Sequence, residues 1–347
     1  MLYVRARKIL LLLTLSVGIS MAGQTAPRAA DSPQQSPAEV FADAQHLSQQ
    51  GKYDEAIAEL QQLKARVPPP KGLEHELGVA YYKKGDYQAA SVAFETALKE
   101  NPDDSEAIQL LGLSYYLGGK PQQAIPLLEK VQTWYPRANV DGSYILGICY
   151  IQSKRYDDAR HAFAKMFDVP PDSASGYLFT ARMLFRQEYN PVAEEYAQKS
   201  VALDPRLPLA HFLLGEIHLY KSQIPEAIAD LKQELALNPS YAPGYYKLAD
   251  AYLRNQKFDD AERLLQRSIW LDATSTGPYI LLGKVLEKKG EPVLAVRALQ
   301  RAVKMDPNNP MTHQLLGQAY REIGQAELAA RELERVEQLN AAAEANP

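Results

Sequence analysis

The chain has one cysteine, Cys149, among 347 residues. That excludes an internal disulfide framework and any zinc site built from several thiolates. It has no excess of positive charge, since 38 basic residues face 42 acidic ones. Without a basic field to meet phosphates, a nucleic-acid partner is not expected. Long apolar runs are missing too. The longest, residues 9–19, spans about eleven residues, against the roughly 20 that a membrane-crossing helix needs. No His-Glu-x-x-His pair and no glycine-rich phosphate loop occur. No catalytic, cofactor-binding or metal-binding residue is therefore assigned, and the chain does not read as an enzyme.

The N-terminus carries a targeting pattern. Arg5, Arg7 and Lys8 precede the apolar run, and Ser20 and Ala22 place small residues at the −3 and −1 positions of a cleavage site before Gly23. The expectation is a signal peptide over residues 1–22, export to the periplasm or the medium, and no membrane span after cleavage. Retention of the segment as an anchor is the alternative reading. No cysteine follows the run, so a lipid anchor is not expected. Residues 23–36, rich in Pro, Gln, Ser and Ala, read as a flexible linker.

From residue 37 the sequence repeats itself. Ala56, Ala90, Ala124, Ala159, Ala193, Ala227, Ala261, Ala295 and Ala329 are separated by seven intervals of 34 residues and one of 35. Twelve residues before each stands another small residue: Ala44, Gly78, Gly112, Gly147, Ala181, Gly215, Ala249, Gly283 and Gly317. Tyrosine follows three residues later at Tyr81, Tyr115, Tyr150, Tyr252 and Tyr320, and proline closes seven units, from Pro68 to Pro307. Apolar spacings of three and four within each unit indicate two amphipathic helices. A small residue at their crossing lets them approach closely, and proline ends the second helix because it cannot continue it. Gly51, Gly85, Gly119, Gly290 and Gly324 suit left-handed turns inside the units. Pro126 lies deep enough in its helix to suggest a kink.

In these columns the chain resembles the tetratricopeptide repeat, most fully in Leu77-Gly78, Tyr81, Ala90, Phe94 and Pro102. The resemblance implies an all-α, right-handed superhelical solenoid of nine helix–turn–helix repeats over residues 37–343. Repeats would start near 37, 71, 105, 140, 174, 208, 242, 276 and 310, with a tail over 344–347. The added residue of the long interval is expected within 137–142. The last helix, 327–340, carries enough charge on one side to cap the array.

The resemblance further implies that function resides in the concave groove lined by the first helices. The positions it assigns there, and the partner-binding residues inferred from them, are Tyr82, Leu113, Tyr116, Leu117, Tyr144, Ile148, Ile151, Arg182, Phe185, Arg186, Phe212, Tyr220, Tyr246 and Arg254. Repeats 8 and 9 turn polar there, with Lys284, Glu287, Lys288, Gln318 and Glu322. The expected partner is a protein or an apolar, aromatic peptide segment. The alternative is an accessory subunit of exopolysaccharide export or outer-membrane assembly that contacts glycan. Packing between neighbouring first helices would account for part of the same stripe. His211, His218 and His313 occupy packing positions of the repeat, and Cys149 stands where other repeats place a small buried residue.

Overall fold

A computed structural model describes residues 36–66, 68–134 and 140–345. The N-terminal segment and most of the expected long turn, including Pro136, lie outside the described residues. Eighteen helices among the described residues form nine consecutive pairs. The first three pairs are α1 (Pro37–Gln49) with α2 (Tyr53–Lys64), α3 (Leu73–Lys84) with α4 (Tyr87–Glu100), and α5 (Ser105–Leu117) with α6 (Pro121–Trp134). The middle three are α7 (Val140–Gln152) with α8 (Tyr156–Met166), α9 (Ala174–Arg186) with α10 (Asn190–Leu203), and α11 (Ala210–Tyr220) with α12 (Ile224–Leu237). The last three are α13 (Ala242–Arg254) with α14 (Phe258–Leu271), α15 (Thr276–Lys288) with α16 (Pro292–Met305), and α17 (Pro310–Glu322) with α18 (Ala326–Ala345). The fold is an all-α solenoid.

Several helix starts are set by single side chains. Ser36 Oγ accepts the Glu39 N–H at 3.2 Å while Glu39 accepts the Ser36 N–H at 2.7 Å, a reciprocal cap on α1. Asp86, Asp104, Ser173 and Asn309 cap α4, α5, α9 and α17 in the one-sided form. Each such cap is worth about 1 kcal/mol. Pro121 and Pro292 open α6 and α16, where the missing N–H has no intrahelical partner to lose. Pro126 sits inside α6, which runs on uninterrupted to Trp134.

Each pair is held by one close crossing. A Cβ placed on Gly78, Gly147, Gly215 or Gly283 would come within 2.5–2.6 Å of Phe94, Phe163, Leu231 and Leu299 respectively. Those four side chains come from the second helix of the same repeat, sixteen residues on, and are fully buried. Glycine is the only residue that fits such an approach without displacing its neighbour. Gly112 is less tight, with Leu128 at 3.1 Å from the same imagined atom. In repeats 1, 5 and 7, Ala44, Ala181 and Ala249 fill the position at full burial.

The turn between the two helices of every repeat needs one left-handed residue. Five repeats supply the expected glycine, with φ of 72–92°. In the other four, Lys154, Glu188, Ser222 and Gln256 take the conformation at φ of 58–66°, so the turn is imposed by the pairing of the helices and not by glycine alone.

Adjacent repeats are joined by the recurrent tyrosine. Tyr150 donates to Glu129 at 2.5 Å and Tyr115 donates to Glu95, each reaching the second helix of the preceding repeat. Tyr81 and Tyr320 accept from Gln61 and Gln300 at the equivalent junctions, at 2.7 and 2.8 Å. Burial first, and the bond to Glu95 second, push the Tyr115 hydroxyl up to about 12. At the array's end α18 runs to Ala345, so residues 344 and 345, read from sequence as tail, belong to the last helix. Glu332 and Arg335 fasten it to His313 and Asn308, at 2.6 and 3.1 Å.

Gly147→Ala is expected to destabilise the fold by about 1–3 kcal/mol, because a buried phenylalanine ring must move. Gly112→Ala should cost less, since the Leu128 methyls can rotate away. Thermal melts of the two variants check the order.

Candidate functional site

The inner face of the solenoid follows from helix spacing. First helices pack directly on the next first helix at α1–α3, α3–α5, α9–α11, α11–α13, α13–α15 and α15–α17, whereas no pair of second helices packs to a similar extent. The row with the shorter spacing lies inside the curve, so α1, α3, α5 and their successors line the concave groove.

The residues assigned to the groove from sequence fall into three groups. Leu117 and Tyr220 are exposed, Tyr220 at 63%, and Arg186 and Arg254 are exposed as well. Tyr82, Leu113, Tyr116, Tyr144, Arg182, Phe185 and Tyr246 are half-buried. Ile148, Ile151 and Phe212 are buried, at 2%, 0% and 5% exposure. These last three are corrected from partner-binding to core residues. Ile148 and Ile151 belong to the main apolar core and Phe212 to the core around α12 and α13, so packing takes precedence over the groove.

The half-buried aromatics also carry packing duties. Tyr82 stands edge-on to Tyr87 at 5.8 Å, and Tyr144 leans on Phe163 at 6.3 Å. Burial raises the hydroxyl pKa of Tyr82 and Tyr246 above the usual tyrosine value. Tyr116 packs against the same core as Leu113 and Phe185. Tyr220 is different, because it stays largely exposed while its ring stands edge-on to Phe185, at 6.0 Å between ring centres.

Charge in the groove is divided between paired and unpaired groups. Lys247 pairs with Glu216 at 2.9 Å, and Arg254 pairs with Asp250 at 2.9 Å while also donating to the Leu219 carbonyl at 3.1 Å. Arg254 is thus committed to its own framework. Arg182 and Arg186, one turn apart on α9 and flanking Phe185, have no carboxylate within 4 Å among the described residues. Arg182 lies close enough to Tyr241 to influence its hydroxyl. Tyr241 was missed from sequence because it sits in the inter-repeat turn; its T-shaped contact with Phe212, at 5.0 Å, brings it to this face.

The histidines are consumed in structure. His218 takes the place of the recurrent tyrosine and reaches Asp230 at 2.7 Å and Glu194, across the repeat junction, at 3.3 Å. Lys221 meets the other oxygen of Glu194 at 2.6 Å. His211 faces the same Asp230 at 3.5 Å. Among the described residues no group of three or more His, Cys, Asp or Glu could hold a metal ion. Cys149 is fully buried, and burial pushes its thiol up to about 12, which removes the thiolate that reactivity needs.

Family models of the tetratricopeptide repeat match residues 47–114, 146–208, 209–278, 277–309 and 298–331. The chain is a tetratricopeptide-repeat protein. A model described as anaphase-promoting complex, cyclosome, subunit 3 also matches residues 83–166 of it. No curated protein matches the sequence. Among solved structures the repeat protein is similar to MamA from Desulfovibrio magneticus RS-1, at 20% identity over 49% of this chain and 97% of that one, TM-score 0.46. PilF of Pseudomonas aeruginosa is 19% identical over 58% of this chain and 91% of its own, TM-score 0.48. YrrB, titled a protein of this repeat class with an unusual peptide-binding site, is 20% identical over 52% and 93%, TM-score 0.44. At these identities the likeness concerns the fold alone.

The division between core and groove is open to measurement. Ile151→Ala should lower the stability of the repeat protein by about 2–4 kcal/mol, as truncation of a fully buried aliphatic does. Tyr220→Ala should leave the melting temperature nearly unchanged. Similar losses in both would show that exposure in the groove had been misassigned.

Proposed function

We propose that this repeat protein is a non-catalytic scaffold that holds an apolar or aromatic segment of a partner protein in its concave groove. The observation that carries the reading is the site on α9 and α11. Tyr220 leaves large apolar surface exposed on the inner face against Phe185, and Arg182 and Arg186, which flank Phe185, have no carboxylate within 4 Å among the described residues. None of Tyr220, Arg182 and Arg186 is buried. An aromatic face and an unpaired guanidinium are the groups most often found at the energetic centre of protein interfaces. The unpaired arginines favour a partner that carries a carboxylate next to its apolar residues.

Tyr220→Ala is expected to weaken binding of the partner, once captured, at least tenfold, as loss of an interface aromatic worth about 2 kcal/mol does. The melting temperature should stay near that of the parent. A fall in stability with unchanged affinity would refute the groove reading. Salt should reduce affinity modestly, through Arg182 and Arg186 alone.

We further propose that the scaffold works in the cell envelope, on the strength of the basic, apolar and small-residue succession over residues 5–22. N-terminal sequencing of the protein from its native host should begin at or near Gly23. Recovery of intact Met1 from soluble cytoplasm would overturn this placement.

A further inference from the structure

At its C-terminal end the groove holds a second feature, separate from the aromatic strip. Between α13, α15 and α17 lies a cavity of about 660 Å³ on the inner face. Its apolar lining comes from Leu253 and Phe258 of repeat 7 and Leu315 of repeat 9, each half-buried. Its polar lining is dominated by three neighbours on one helix, Lys284, Glu287 and Lys288.

The state of these three groups is unusual for this molecule. Oε1 of Glu287 is buried and has no hydrogen-bond partner among the described residues. Leaving a buried acceptor unsatisfied is costly, and such atoms are rare in folded proteins. Burial, reinforced by Glu322 nearby, raises the Glu287 carboxyl above the usual carboxylate range, while Lys288 and Lys284 draw it the other way. Neither lysine has a carboxylate within 4 Å among the described residues. Lys284 reaches only the weak acceptor Met311 Sδ, at 3.8 Å. Three lysines elsewhere in the repeats are paired: Lys247 with Glu216, Lys221 with Glu194, and Lys289 with Asp259, Glu262 and Glu291. The cavity therefore combines an apolar floor, an acceptor that lacks a donor, and two cations that lack an anion.

We infer that this cavity is a second peptide-binding site, which seats one aliphatic side chain of an extended, acidic segment of a partner protein. The aliphatic group rests on Leu253, Phe258 and Leu315. The backbone N–H beside it donates to Glu287, supplying the bond that the folded chain leaves unmade. Acidic side chains on either side meet Lys284 and Lys288, one turn apart on α15. An extended peptide provides all three at the right scale, because successive side chains project to opposite faces some 3.3 Å apart along the strand. The cavity's lining holds two cations to one carboxyl, so the preference is for acidic and against basic flanks. This inference rests on the groove being the partner-binding face, as proposed above.

The test uses two peptides blocked at both ends, each a single leucine between two pairs of charged residues, aspartates in one and lysines in the other. Each is titrated into the purified protein with labelled leucine methyl groups observed by NMR. The aspartate peptide is expected to shift the Leu253 and Leu315 signals and to bind about tenfold more tightly than the lysine peptide. Lys284→Glu with Lys288→Glu should invert that order, with a lower melting temperature because two further carboxylates then face Glu287 and Glu322, whereas Lys284→Gln with Lys288→Gln should abolish the preference and leave the melting temperature near that of the parent. Glu287→Leu should weaken both peptides, and Glu287→Gln, which keeps an acceptor oxygen, should retain most of the affinity. Tyr220→Ala should bind the aspartate peptide as the parent does, so failure of the aromatic strip and failure of this cavity are read separately. Equal affinity for the two peptides, shifts confined to other leucines, or an acidic preference that survives the double lysine reversal would overturn the inference.

Discussion

The whole solenoid depends on how closely two helices can approach at one point per repeat. Where Gly147 meets Phe163, or Gly215 meets Leu231, there is no room for even a methyl group. That approach fixes the crossing within each pair, and the crossing fixes which face of the first helix is turned away from the second. Everything downstream inherits it. The left-handed turn is held by the same constraint, which is why Lys154, Glu188, Ser222 and Gln256 adopt a conformation that ordinarily belongs to glycine.

Repetition of that unit produces the second level of order. Because Tyr81, Tyr115, Tyr150 and Tyr320 each bond to the second helix of the repeat before, one pair orients the next by a hydrogen bond as well as by apolar contact. Where the tyrosine is replaced by His218, a carboxylate on each side of the junction takes over the task. Stability in such an array is close to a sum of repeat and neighbour terms. First helices crowd on the inside of the curve, and that crowding decides which side chains a partner can reach.

The inner face is consequently uneven in its chemistry. In repeats 5 and 6 it offers the exposed ring of Tyr220 against Phe185, which is flanked by two arginines with no carboxylate within 4 Å among the described residues. Around repeat 7 its charges neutralise each other in Lys247–Glu216 and Arg254–Asp250. In repeats 7 to 9 a cavity opens in which the polar groups again lack partners. Under the proposed groove reading, two unsatisfied stretches separated by a satisfied one suit a long segment that is gripped at two places and merely passes between them. Binding through two linked contacts raises affinity without demanding much of either.

By itself the sequence determined the class of the fold, the period, the small-residue crossings and the tyrosine and proline columns, because each of these is a local requirement repeated nine times. It also showed that the histidines and Cys149 occupy packing positions of the repeat, since they fall in the same columns as plainly structural residues. What it could not separate was groove from core along the first helices. Ile148, Ile151 and Phe212 share helical positions with Leu113, Tyr116 and Tyr144, yet only the former are sealed. Burial there depends on which side chains of neighbouring repeats complete the apolar cluster around each residue, and that is not written in a single repeat. The bond from Arg254 to the Leu219 carbonyl, the isolation of Arg182 and Arg186, and the orphaned oxygen of Glu287 were likewise decided by tertiary structure, because each depends on which groups of neighbouring repeats are brought alongside or kept apart.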